Sequence, residues 1–222
     1  MVYWELKIAK MYRIVFLILI SCCIICCSDE KTADVELPYY NAPDFTPQFL
    51  KSKAEVTQKI THTIANFTFL NQDSSFITQQ VVEGKIHVAN FIFTSCGSIC
   101  PNMTNNMKMI SDEFKGNKNL VILSYSVTPW IDHPYVLKKY KQRNNIVNPN
   151  WHFLTGSRAT IYNLARKSYF AEEDIGFTKD SSQFLHTEHF ILVDQSKRIR
   201  GIYNGTLTLE MQQLIGDIKS LK

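Results

Sequence analysis

Cys96 and Cys100 lie four residues apart in residues 91–103, FIFTSCGSICPNM. A thiol pair at that spacing has three readings: a local redox couple, two ligands for a soft metal, or two buried thiols. Pro101 is a good first helical residue, so Cys100 falls where a helix starts and Cys96 one turn earlier. The positive end of a helix favours a thiolate, which is both a nucleophile and a soft-metal ligand. Cα atoms in such a turn come within ~6 Å, inside disulfide range. Gly97 lets the loop fold tightly. The helix-end argument does not separate the two cysteines as attacking thiol. Both flank a turn after an apolar strand, where α/β folds gather ligands, and this favours function over simple burial.

The elements that must position this pair are legible from periodicity. Residues 86–93 (IHVANFIF) and 120–127 (LVILSYSV) are apolar runs of strand length, the pattern of strands covered on both faces. Between them Met103, Met107, Ile110 and Phe114 recur at helical spacing. That spacing makes Met103 and Met107 core residues rather than ligands. Residues 134–143 form an amphipathic basic helix, 151–154 a short strand, and 159–169 a helix with Ile161, Leu164 and Ala165 on one face. Residues 190–194 and 198–203 read as an antiparallel pair around a Gln195-Ser-Lys turn, and 207–221 as a closing helix striped by Met211, Leu214, Ile215 and Ile218. Residues 67–70 and 76–78 read as a hairpin. The sum is an α/β layered domain: a central mixed sheet flanked by helices with an N-terminal hairpin extension. A cysteine pair between strand and helix makes it thioredoxin-like.

The 222 residues carry a formal charge of +4. Lys7, Lys10 and Arg13 against Glu5 put +2 on the first 27, leaving +2 on the rest. That balance argues against a nucleic-acid partner, which needs a basic stripe. Four of the six cysteines (Cys22, Cys23, Cys26, Cys27) sit in the N-terminal apolar segment, so the body has no disulfide framework. Residues 14–20 (IVFLILI) follow the basic residues and are too short to span a membrane, so residues 1–27 read as a secretory signal. Leu19-Ile20-Ser21-Cys22 resembles the lipobox of bacterial lipoproteins, with Cys22 the expected lipidation site and Cys27 a competing one. Residues 28–45, with Pro38 and Pro43, read as a flexible tether, and 46–222 as the folded domain.

The cysteine segment resembles the C-x3-C-P motif of the Sco/SenC family, thioredoxin-fold copper proteins of cytochrome c oxidase assembly. Further blocks agree in order. Ser124-Tyr-Ser-Val-Thr-Pro129 with Asp132, Pro134, Leu137 and Tyr140 resembles the family's S-x-S-V-D-P-x-x-D-x-P-x-x-L-x-x-Y stretch. Trp151-His-Phe-Leu-Thr-Gly156 resembles W-x-x-L-T-G, and Phe184-Leu-His186-Thr187 the segment carrying the family's histidine. The likeness spans about residues 65–220. Thr128 and Trp130 stand where the family usually has the acidic residues of D-P-E, and Gln195-Ser-Lys replaces its glycine-rich turn.

The resemblance implies a copper site made by Cys96, Cys100 and His186. The donor set agrees: thiolates select Cu(I), and imidazole suits either copper state. A four-ligand zinc site using His189 is the second reading of the same donors. His62, His133 and His152 read as solvated, and His87, in an apolar strand, as a hydrogen-bonded core residue. Three functions follow. The first is a metallochaperone that passes copper to the dinuclear copper site of a terminal oxidase subunit. It would sit on the periplasmic side of a bacterial membrane, held in the cell envelope by a lipid anchor. The second is a thiol–disulfide oxidoreductase that keeps the oxidase cysteines reduced, with Cys96 and Cys100 as the redox pair and their disulfide as its oxidised form. The third is a redox or copper sensor.

Overall fold

The computed structural model describes residues 37–172, 185 and 187–221. The expectations for the signal segment, for Cys22 and Cys27, and for His186 lie outside these residues. Among the described residues no helix is long and apolar enough to cross a membrane.

In chain order the elements are β1 (Tyr39–Tyr40), β2 (Pro47–Gln48), α1 (Lys53–Lys59), β3 (Thr68–Asn71), β4 (Phe76–Thr78), β5 (Ile86–Ile92) and α2 (Cys100–Glu113). There follow β6 (Leu120–Ser126), α3 (Pro134–Arg143), β7 (Trp151–Thr155), α4 (Arg158–Asn163), β8 (His189–Val193), β9 (Ile199–Asn204) and α5 (Thr208–Ser220). They build one mixed sheet in the order β2-β1-β9-β8-β5-β6-β7-β3-β4. β5 lies between parallel β6 and antiparallel β8, and β6 between β5 and β7, both parallel to it. Every residue of β5 and β6 is buried, which accounts for their unbroken apolar runs.

Alternation along these strands divides the core. Ile86, Val88, Ile92, Leu120 and Ile122 pack with Met103, Met107 and Ile110 of α2, Leu137 of α3, and Met211, Leu214 and Ile218 of α5. Ala89, Phe91, Val121, Leu123 and Tyr125 face the other way, onto Ile161, Leu164 and Ala165, and onto Phe67 and Phe69 beside the β3–β4 hairpin. The helical run after β7 covers residues 158–168, close to the extent its sequence suggests, but only Arg158–Asn163 is α-helical. It closes as a π-helical turn over Leu164–Ser168, and Tyr169 N–H donates to the Leu164 carbonyl. That turn buries Tyr169, whose hydroxyl meets both His87 Nε2 (3.2 Å) and the Tyr125 hydroxyl (3.1 Å).

The tether expectation needs correction at its C-terminal end. Residues 37–45 belong to the fold: Tyr40 pairs with Ile199, and Tyr39–Tyr40 pair with Pro47–Gln48. Arg200 holds them. Its guanidinium donates to the carbonyls of Leu37 (2.6 Å) and Pro38 (3.0 Å), pairs with Asp194, and lies 3.8 Å from the Tyr39 ring centroid.

Two histidine expectations are also corrected. His62 is half-buried: Nε2 donates to the Ser168 carbonyl (2.7 Å) and the ring stacks on Phe170. His152 is also half-buried. Burial, with the charges of Lys141 and Lys85 and against that of Asp73, pushes its pKa down to about 4. His133 is exposed and precedes α3 in extended backbone. His87 is fully buried, as its apolar strand implies.

Candidate functional site

Parallel β5 and β6 end side by side, so the loop of residues 93–99 and the turn of residues 127–133 leave the same edge of the sheet. β8 enters the sheet at that edge, because Phe190 pairs with Asn90 near the end of β5. α2 starts at Cys100 with Pro101 in its first turn, where the missing N–H costs nothing. Its first helical bond runs from Met103 N–H to the Ile99 carbonyl (3.0 Å). The helix is tied to the β9–α5 turn by Asn102 and Asn106, whose side chains donate to the carbonyls of Thr206 (2.9 Å) and Gly205 (2.8 Å). Gly205 is required there, since a Cβ would run into the Phe190 ring.

Both thiols are free, Cys96 half-buried and Cys100 buried. The fold separates them chemically. Partial burial pushes the Cys96 thiol up, but the N–H groups of Cys100 and Ser98, the Cys100 thiol and the Ile99 N–H outweigh it, so its pKa falls below the ordinary value. Burial pushes the Cys100 thiol up to about 12; the Phe93 N–H opposes this, while the hydrogen bond to Cys96 and the charges of Cys96 and Asp132 add to it. The two thiols are thus displaced in opposite directions, and they are hydrogen-bonded to each other. Cys96 is the less buried of the two and the one displaced toward ionisation.

The loop is held by a group that sequence reasoning gave no role. Asp132 is fully buried. Its carboxylate accepts from Thr94 N–H (3.2 Å), Thr94 Oγ1 (2.5 Å), Ser126 Oγ (2.7 Å) and Thr128 Oγ1 (3.0 Å). Thr128, one of the two departures from the family pattern, is thus a donor to this carboxylate. The other departure, Trp130, is exposed. Thr104 Oγ1 and the Tyr140 hydroxyl meet at 2.6 Å and join the second turn of α2 to α3. A signal for Asp132 was present: it is the single acidic residue between 118 and 170.

Met103 and Met107 are fully buried in the core, as their spacing implies. His189 is the first residue of β8; its Nδ1 donates to the Ala171 carbonyl (3.0 Å) and its ring meets Phe45 edge-on. Among the described residues no group of three or more His, Cys, Asp or Glu side chains converges as a metal site. The cysteine pair contributes two soft donors.

A mixed sheet flanked by helices, with two thiols at the N-terminus of the helix after a central strand, defines a thioredoxin-like dithiol protein. The chain matches SCO1/SenC over residues 55–222 and belongs to that family. The SCO1 protein homolog of Bacillus subtilis is 33% identical over 168 residues, covering 75% of this chain and 86% of that one. The crystal structure of a SCO1/SenC family lipoprotein from Bacillus anthracis is 30% identical with a TM-score of 0.63, covering 73% of this chain and 96% of that one. BsSco, described as a member of the Sco family of cytochrome c oxidase assembly proteins with a disulfide switch, is 34% identical with a TM-score of 0.61, covering 72% and 93%. Copper-bound ScoI of Bradyrhizobium japonicum, at 22% identity and a TM-score of 0.57 over 72% and 99%, shares the fold.

Proposed function

We propose that this chain is a copper metallochaperone that binds copper through Cys96, Cys100 and His186 and delivers it to the dinuclear copper site of a terminal oxidase subunit. The observation that carries the reading is the pair of cysteines at the start of α2 in a SCO1/SenC chain, with the Cys96 thiol displaced toward ionisation and the buried Cys100 thiol away from it. Two thiolates and one imidazole suit Cu(I), and thiol protons leave as metal binds. The copper-bound relative and the assembly role given to BsSco support the same reading. The B. anthracis lipoprotein and the Leu19-Ile20-Ser21-Cys22 segment support a lipid anchor at Cys22 in the cell envelope, on the periplasmic side of a bacterial membrane.

The test is metal analysis of the reduced, tagless protein. One copper per chain is expected. The Cys96→Ser/Cys100→Ser double variant should lose it, and His186→Ala should weaken binding strongly while the disulfide still forms. Unchanged stoichiometry in the double variant would overturn the reading. Equal losses for His186→Ala and His189→Ala would favour a four-ligand, zinc-type site. Cys22→Ala should release or misprocess the protein.

The thiol–disulfide reading is kept alongside because the same split favours it. A thiolate at Cys96 attacks one sulfur of a target disulfide, forming a mixed disulfide and releasing the target's other sulfur as a thiolate. Cys100, once deprotonated, attacks the Cys96 sulfur, breaks the mixed disulfide to release the remaining target sulfur as a thiolate, and closes the Cys96–Cys100 bond. Two electrons pass to the target. Reduction of an oxidised oxidase domain by copper-free protein, lost in Cys96→Ser, would support this reading.

A further inference from the structure

His189 stands three residues past His186 and opens β8. Alternation along the strand sets the face it takes. Phe190 packs in the part of the core that holds Met103 and Met107 of α2, and Ile191 in the part that holds Phe170 and Ala171. His189 shares the face of Ile191, the one turned away from α2. Its contacts agree. The Nδ1–H donates to the Ala171 carbonyl (3.0 Å), and the ring meets that of Phe45 edge-on, with centroids 5.2 Å apart. A carbonyl can only accept, so Nδ1 carries the proton.

Ala171 ends a strained piece of backbone. After the π-helical turn, Phe170 takes a left-handed conformation (φ 50°), and the Ala171 N–H reaches back to the Ala165 carbonyl (2.9 Å). A bulky side chain is seldom found there, and such strain persists only where the surroundings impose it. The surroundings do so here. The His62 ring stacks on Phe170 with centroids 4.1 Å apart, its Nε2 donates to the Ser168 carbonyl (2.7 Å), and the Ala65 N–H donates to Ser168 Oγ (2.7 Å). Phe45, whose ring meets His189, is left-handed as well (φ 57°). Strained residues thus stand on both sides of the His189–Ala171 bond, which marks a geometry that the fold holds at a cost.

Ala171 and His189 bracket residues 172–188, the stretch that includes His186. Leu185 is fully buried, in the same part of the core as Ala171. Thr187 is buried too, its hydroxyl accepting from the His189 N–H (3.1 Å), and the Glu188 carbonyl accepts from the Gly205 N–H (2.8 Å). The chain is therefore held at the residue before His186 and at the residue after it. Joining the two ends of a segment lowers the entropy lost when a residue within it takes one fixed place. We propose that His189 is a positioning residue for the copper ligand His186: its bond to Ala171 ties the two ends of the stretch together, and its own ring does not bind the metal. The inference rests on the metallochaperone reading above, in which His186 is a ligand. An imidazole whose Nδ1–H meets a carbonyl is also the usual form of a metal ligand bound through Nε2. Position separates the two roles, because the ring lies on the sheet face away from the helix that begins at Cys100.

The test is copper(I) affinity, read by competition with a chromophoric chelator on the reduced full chain in detergent micelles. His186→Ala should lose tight binding. His189→Ala should weaken it about fivefold, the net worth of one hydrogen bond. His189→Asn should restore it, because the side-chain amide N–H stands close to the place of Nδ1–H and donates to the same carbonyl. The copper(II) forms of wild type and His189→Ala should show the same number of coupled nitrogens by electron paramagnetic resonance, and His186→Ala one fewer. Wild-type affinity in His186→Ala would overturn the ligand reading and this inference with it. Wild-type affinity in His189→Ala, with His186→Ala impaired, would overturn the inference alone. Binding by His189→Asn as weak as that of His189→Ala would overturn it too, since the carbonyl bond would not be what matters. A nitrogen lost from the copper(II) spectrum of His189→Ala would make His189 a ligand and overturn it as well.

Discussion

The Thr94 hydroxyl donates to the Asp132 carboxylate at 2.5 Å, joining the loop after β5 to the turn after β6 across the edge of the sheet. Ser126 and Thr128 supply further hydroxyls, and the Thr94 N–H completes the set. No lysine or arginine takes part in these bonds. The hydrogen bonds instead satisfy the oxygens of the buried group. The residues between Thr94 and α2 are thereby fixed at one end by this carboxylate and at the other by the helix.

Removing the carboxylate should loosen that anchor. Asp132→Ala leaves the Thr94, Ser126 and Thr128 donors without their acceptor, so we expect a loss of about 2–4 kcal/mol in urea unfolding of the reduced protein. Hydrogen exchange at the Thr94 amide should accelerate as well. A stability change below about 0.5 kcal/mol, with Thr94 exchange unaltered, would show that the network does not hold the loop.

The two thiols should react at different pH values. Cys96, with its pKa held below the ordinary value, should be alkylated by iodoacetamide with a midpoint below that of an ordinary cysteine. Cys100, buried and pushed up to about 12, should stay unmodified through the same range. Peptide mapping after brief alkylation at neutral pH should find Cys96 modified at least about tenfold more than Cys100. Modification of Cys100 first would reverse the order of the two thiols.

How far the sequence carried depended on whether the signal was local. β5 and β6 were legible as unbroken apolar runs buried on both faces, and α2, α3 and α5 because each buries a face at helical spacing; α3 begins and ends where the sequence placed it. β1 and β2 have two residues each, too few to show alternation. They exist because of Ile199 and Arg200, some 160 positions along the chain. α1 (Lys53–Lys59) buries none of its residues, so it left no apolar stripe to read. The cysteine pair was visible from type and spacing, but the split between the two thiols was not. It follows from N–H directions and burial, which exist only in three dimensions. His62 and His152 misled for the same reason, since their polar neighbours in sequence are not their neighbours in space.

Arg200 offers a check on the corrected tether. Arg200→Ala removes the guanidinium that binds the carbonyls of Leu37 and Pro38 and leaves Asp194 without its ion-pair partner. Limited proteolysis of the variant should cut within residues 37–48 at least about tenfold faster than in wild type, because local opening sets cleavage. The products should leave the rest of the body intact. Equal cleavage rates would mean that the short β1 pairing, rather than Arg200, holds the segment.

His87 sets an acid limit on stability. It is fully buried in β5, its Nε2 meets the Tyr169 hydroxyl, and burial pushes its pKa from 6.5 to about 3. The unfolded chain takes up this proton near pH 6.5, whereas the folded chain resists until about 3. The unfolded state therefore binds more protons throughout that window, and stability falls as the pH drops from 6.5 toward 3. One such histidine contributes a slope of up to about 1.4 kcal/mol per pH unit. His152, also displaced downward, acts in the same direction. Between about pH 6.5 and 5 ordinary carboxylates remain largely ionised, so the histidine contribution is read most cleanly there. His87→Gln keeps a side chain able to bond Tyr169 but removes the titration. Urea unfolding at several pH values should show wild type losing stability across that interval, and the variant losing about 1 kcal/mol per pH unit less. Identical slopes for the two proteins would show that His87 takes up its proton in the folded state, and that its burial does not hold it neutral.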